Sequence, residues 1–207
     1  MRLMSARTMM RTAVILMLAL AVAIAPALAQ EAGEMPEMTP EQQAQMEAYK
    51  KAGTPGPQHE ALAQEVGTYD VVMKNYENPD GPPMESTGTA TRTTIYDGRI
   101  MVEDYESDFM GAPFTGRGMT GYDNVSGKYW STWMDSMSTG LMVSEGTCDD
   151  GGVCEFVGSY NDPIAKGPKK VRMVSRWTGP KTQIFEMHTA GRDGKEMMMM
   201  EMTYTKK

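Results

Sequence analysis

The chain has 207 residues, with 20 basic and 27 acidic side chains and a formal net charge of −7. Such acidity disfavours nucleic-acid phosphates and anionic lipid surfaces as partners. With only two histidines, a three-histidine zinc site is excluded.

The first segment reads as a cleavable export signal. Arg2, Arg7 and Arg11 supply the positive start, Ala13 to Ala25 is an unbroken apolar run, and Ala27-Leu28-Ala29 presents small residues for cleavage after Ala29. The run is shorter than the roughly twenty residues needed to span a bilayer. No cysteine follows it to carry a lipid anchor. The expected location is therefore periplasmic or secreted. Loss of residues 1–29 leaves 17 basic against 27 acidic residues, a net charge of −10.

Residues 30–56 read as a flexible tail holding one short helix. Thr39 is its cap, Pro40 lies in the first turn and Gln42 reaches back. The helix is expected to run to about Ala52 and stop at Gly53. A second short helix is expected from Pro57 to Val66, with Leu62 and Val66 at the spacing of one face and Gly67 ending it. The 57–207 segment then reads as one β domain, a length with room for a self-sufficient core.

From Thr68 onward the period becomes two. Tyr69, Val71 and Met73 alternate with Asp70, Val72 and Lys74, and Val171, Met173, Ser175 and Trp177 alternate with Arg172, Val174 and Arg176. Met198, Met200, Met202 and Tyr204 would share one strand face by the same count. Turn residues recur between such runs: Asn78-Pro79-Asp80-Gly81, Asp97-Gly98, Gly111-Ala112-Pro113, Asp123-Asn124, Asp149-Asp150-Gly151-Gly152, Asp162-Pro163, Gly179-Pro180 and Asp193-Gly194. Short strands without interleaved helices predict an all-β fold, a sandwich or an antiparallel up-and-down barrel of about nine or ten strands. A closed barrel is favoured because it leaves no exposed edge.

A series of ordered motifs carries a family resemblance. They are Gly56-Pro57-Gln58-His59, Pro82-Pro83-Met84-Glu85-Ser86-Thr87-Gly88, Asp97-Gly98-Arg99, Pro113-Phe114-Thr115-Gly116-Arg117-Gly118 and Thr120-Gly121-Tyr122-Asp123-Asn124. Ser131-Thr132-Trp133-Met134-Asp135-Ser136-Met137-Ser138-Thr139-Gly140 and Ser144-Glu145-Gly146-Thr147 continue the series. Over about residues 56–207 the chain resembles the bacterial domain-of-unknown-function 1579 family. That resemblance implies a lipocalin-like, calycin-type barrel and frequent export, and it implies no reaction. The Cys148/Cys154 pair and the methionine load depart from the family's pattern.

Cys148 and Cys154 flank a turn-rich segment, so a hairpin would bring them face to face and an oxidising compartment would join them. Five intervening residues do not match a two-residue redox spacing. Of 23 methionines, 18 lie beyond residue 29. They are read first as core residues standing in for scarce leucine, then as an adaptable pocket lining. A third reading is a Cu(I) or oxidant-buffering site using Met197 to Met200, Met202, Met187 and His188. Alternation sets Met197 and Met199 on the face opposite Met198 and Met200.

Arg99, Tyr122, Trp133, Asp135, Glu145, Arg176 and Glu186 are the residues nominated to bind the polar end of a ligand at the barrel mouth or interior. Arg99 and Arg176 would pair with Glu145 or Glu186. His59, at the start of the second helix, suggests a cap or a helix–barrel contact. No nucleophile elbow, phosphate loop or dinucleotide fingerprint is present, and no catalytic residue, cofactor or metal set is nominated. The expected function is binding of a small, partly apolar molecule in a β-barrel. The alternative from another class is a structural or partner-binding module contacting its partner through the 39–52 helix.

Overall fold

Ten strands succeed one another with period-two alternation, and each pairs antiparallel with its neighbour in the chain. They are β1 (Gly67–Asn75), β2 (Met84–Ile95), β3 (Ile100–Phe109), β4 (Ala112–Asp123), β5 (Lys128–Asp135), β6 (Met142–Cys148), β7 (Cys154–Asp162), β8 (Gly167–Trp177), β9 (Thr182–Ala190) and β10 (Glu196–Lys206). β10 pairs back onto β1, so the sheet closes into an up-and-down barrel. These features come from a computed structural model that describes residues 38–76, 81–191 and 193–207. The expected export signal, the start of the tail and most of the Asn78-to-Gly81 turn lie outside the described residues.

Among the described residues, two helices precede the barrel. Helix α1 (Pro40–Gly53) starts with the expected reciprocal cap: the Gln42 amide N–H donates to Thr39 Oγ1 at 3.3 Å, and the Thr39 N–H to Gln42 Oε1 at 2.9 Å. The described residues up to Glu47 belong to one unit and those from Ala48 to another. Within the second unit, Arg99 Nη2 donates to Gly53 O at 2.8 Å and Asn124 Nδ2 to Ala52 O at 2.9 Å. Two turns between strands thus hold the carbonyls at the end of α1, which no helical N–H satisfies.

Helix α2 (Pro57–Gln64) sits across one end of the barrel, burying Leu62 against Met101 of β3 and Tyr129 of β5. The helix is shorter than the sequence suggests, so Val66 falls beyond it and is exposed. His59 fixes it in place as both a cap and a helix–barrel contact. Its Nδ1 accepts from the Gly56 N–H at 3.0 Å, so Nε2 carries the proton and donates to Tyr122 O at 3.1 Å. No helix among the described residues is long and apolar enough to cross a membrane.

The register defines the inner wall. Tyr69, Val71 and Met73 of β1 face Ala90 and Gly88 of β2 on one side and Met202 and Tyr204 of β10 on the other. Tyr69, Val71, Ala90, Tyr105, Met202 and Tyr204 form the principal core cluster. Strict alternation fails once, in β10. Met198 pairs with His188 and Met200 with Met187, leaving Met199 as an extra residue in a β-bulge. Met198 therefore does not share a face with Met200, Met202 and Tyr204, as uninterrupted alternation would require.

Candidate functional site

A cavity of about 1600 Å³ occupies the barrel, reaching from helix α2 to the Met137–Leu141 turn. Ten strands close a wider ring than inward side chains can fill, whereas eight leave little more than their own packing space. Glycine recurs on the inner faces of β2, β4, β6 and β7, which thins the wall further.

One wall is methionine. Cross-strand pairing sets Met173, Met187 and Met200 in a row across β8, β9 and β10, with Phe185, Met202 and Met73 in the row beside it. All six line the cavity. Thioether side chains bend easily, so such a surface adapts to ligand shape. The opposite wall is aromatic. Tyr105 packs on Phe114 and Trp133 at ring-centre distances of 6.0 and 6.4 Å. The Trp133 indole lies flat on Gly116, where a Cβ would come within 2.2 Å of the ring. Its Nε1 donates to Asp135 Oδ2 at 3.0 Å, while Asp135 Oδ1 accepts from the Met137 N–H at 2.9 Å. The carboxylate thereby ties the indole to the loop at the far end of the cavity from α2.

Near α2 the lining is ionic. Arg92 of β2, 6% exposed, donates through Nε to Glu103 at 2.6 Å and through Nη1 to Glu65 at 2.6 Å and Gln183 at 2.7 Å. Its guanidinium carbon lies over the rings of both Tyr69 and Tyr204, at 4.8 and 4.6 Å. The surrounding carboxylates outweigh the cost of burying the charge and hold the Arg92 pKa above its ordinary value. Burial, and next the Glu103 carboxylate, push the Tyr204 phenol well up; burial raises Tyr69 too. Both phenols are hydrogen-bond donors at neutral pH: Tyr204 Oη to Glu103 Oε1 at 3.3 Å and Tyr69 Oη to Glu65 O at 2.5 Å.

Of the seven residues nominated from sequence, Trp133 and Asp135 line the cavity together. Tyr122 is packed under α2, 5.9 Å from the His59 ring and 4.9 Å from that of Tyr129. Arg99 lies in the β2–β3 turn, bonded to Gly53 and Tyr96 carbonyls. Glu145 is exposed and pairs with Lys128 at 3.2 Å. Arg176 and Glu186 do pair, at 2.6 Å, and by register they lie on the outer face, where His188 meets Glu186 at 3.2 Å. The donors considered for Cu(I) are split likewise: Met187, Met199, Met200 and Met202 line the cavity, while His188 and Met198 face outward. Among the described residues, no group of three or more His, Cys, Asp or Glu side chains is placed to hold a metal ion.

Cys148 and Cys154 are direct register partners, are joined as a disulfide, and line the cavity on its α2 side. Sequence reasoning missed Arg92, Glu103 and Glu65. Arg92 stands in the polar run Thr89 to Thr94, which looks solvated by composition. The available signal was parity with Gly88 and Ala90, small residues that share its strand face.

A family model described as "Protein of unknown function (DUF1579)" matches residues 54–206. No curated protein matches the chain. Among solved structures, the crystal structure of Rv2717c from M. tuberculosis is similar, with a TM-score of 0.56 at 12% sequence identity. The match covers 74% of this chain and 99% of that one, and it shows a shared fold.

Proposed function

The chain belongs to the DUF1579 family of proteins of unknown function, and on that footing we propose that it binds a small, partly apolar molecule inside its barrel. The observation that carries this reading is the cavity of about 1600 Å³, walled by methionine on one side and aromatic rings on the other. Each methylene moved from water into such a lining contributes about 0.8 kcal/mol. A twelve-carbon chain therefore supplies about 10 kcal/mol to set against the cost of immobilising the ligand.

Dodecanol is a suitable first probe, because Trp133 in the wall reports on occupancy by its fluorescence. Saturable change is expected in the wild type, together with a one-to-one adduct in native mass spectrometry. A folded Ser131→Phe variant, which fills the lumen from β5, is expected to lose both. No saturable change up to the solubility limit would overturn the reading.

The proposal extends to location. The basic start, the apolar run and Ala27-Leu28-Ala29 support export, and the Cys148–Cys154 bond suits an oxidising compartment. N-terminal sequencing of protein from the periplasmic or secreted fraction is expected to begin at Gln30. Recovery only of intact chains from the cytoplasm would contradict it.

A further inference from the structure

We infer that the ionic end of the cavity selects a ligand with a protonated amine and discriminates against the carboxylate of an ordinary fatty acid. The inference rests on the ligand-binding reading above and adds the chemistry of the head group.

A single buried arginine in an apolar cavity would invite a carboxylate. Here that role is already filled. Arg92 is held by Glu65 and Glu103 at 2.6 Å each, so two negative charges surround one positive. Both carboxylate-bearing residues line the cavity with Arg92. The remaining cation at this end, Lys206, is half-buried among the lining residues, donates to Gln64 O in a solvent-exposed bond and makes no ion pair among the described residues. Water screens it there, whereas the Arg92 cluster is shielded. The enclosed balance is therefore negative.

One carboxylate oxygen of the cluster has a bond left to make. Among the described residues, Glu65 Oε1 accepts from no donor, because Arg92 and Gln183 both bond to Oε2. An ammonium group beside Glu65 Oε1 makes the missing bond and brings the enclosed charge to neutrality. A carboxylate reaching Arg92 would add a third negative charge beside two others, in a setting where repulsion is strong. An alcohol makes one bond and leaves the balance unchanged.

The test compares dodecylamine, dodecanol and dodecanoate, each below its micelle concentration or solubility limit at neutral pH, by displacement of a fluorescent lipophilic probe. The amine is expected to bind at least about tenfold tighter than the carboxylate, with the alcohol between them. Glu65→Gln is expected to remove most of that preference. If that variant does not fold by circular dichroism, Glu103→Gln serves the same purpose. Dodecanoate binding as tightly as the amine overturns the inference and leaves the cavity reading standing. So does an amine preference unchanged by both substitutions, which would place its origin in the overall acidity of the chain. Failure of all three probes overturns both readings together.

Discussion

Arg92 and Glu103 are direct cross-strand partners on β2 and β3, and their side chains meet inside the barrel at 2.6 Å. An ion pair so enclosed contributes little net stability compared with apolar side chains of the same size, because both charges lose water. Its loss by halves is costly. Arg92→Met leaves Glu103 without its cation and is expected to destabilise the protein by about 3–5 kcal/mol. The double variant Arg92→Met/Glu103→Leu is expected to recover much of that loss. Urea denaturation of the two variants measures the difference, and equal losses would argue that the Glu103 carboxylate does not depend on Arg92.

Stability should fall at both extremes of pH, for opposite reasons. Burial raises the phenols of Tyr69, Tyr105, Tyr129 and Tyr204 above their ordinary value of 10.0. A raised phenol keeps its proton in the folded state, so its contribution is complete below pH 10 and is lost as the pH climbs beyond it. On the acid side, the Arg176 hydrogen bond holds Glu186 below its ordinary value of 4.5. That contribution is present above pH 4.5 and disappears as the pH drops through the folded value. Absorbance at 295 nm is the readout for the phenols: these four of nine tyrosines are expected to ionise only as the barrel unfolds. Smooth titration of all nine around pH 10 with the fold retained would contradict this.

The Cys148–Cys154 bond closes a short loop at one end of the β6–β7 hairpin. On the chain-entropy account, replacing both cysteines with serine costs about 2 kcal/mol. Calorimetry of the double variant should show a lower Tm and an intact barrel. A Tm equal to that of the wild type would show that the bond leaves the unfolded chain unconstrained.

Gly116 is the bed on which the Trp133 indole lies. Gly116→Ala pushes a methyl into the ring, which must lift and lose its bond to Asp135. The expected cost is about 1–3 kcal/mol by overpacking, with a shift in the Trp133 emission. An unchanged spectrum and stability would mean that the ring has room to move.

Much of the fold is legible in the chain because alternation and turn chemistry are local properties. Tyr69-to-Lys74 and Val171-to-Trp177 show their buried faces by parity alone, and Asp149 to Gly152 marks the hairpin that joins the cysteines. The Thr39 cap and the Trp133–Asp135 and Arg176–Glu186 associations are also short-range or next-strand features. What stayed hidden depends on register around the closed ring. Arg92 is buried because β1, β3, α2 and β9 together bring Tyr69, Glu103, Glu65 and Gln183 to it, and those lie as many as 91 residues away. Glu145 and Glu186 look equivalent in sequence, but one pairs with Lys128 in solvent and the other with Arg176 and His188 on the outer wall. In β10 the bulge at Met199 turns Met198 away from the face it would otherwise share, and nothing in a run of four identical residues marks where the extra one falls.

The central claim is that a ligand occupies the lumen beside the methionine wall, and methyl-13C-methionine NMR tests it at the side chains concerned. On titration with dodecanol, the methyl signals of Met73, Met173, Met187, Met200 and Met202 are expected to shift saturably, while those of exposed Met110 and Met134 stay in place. Shifts confined to Met110 and Met134, or no saturable shift in the wall, would contradict the account.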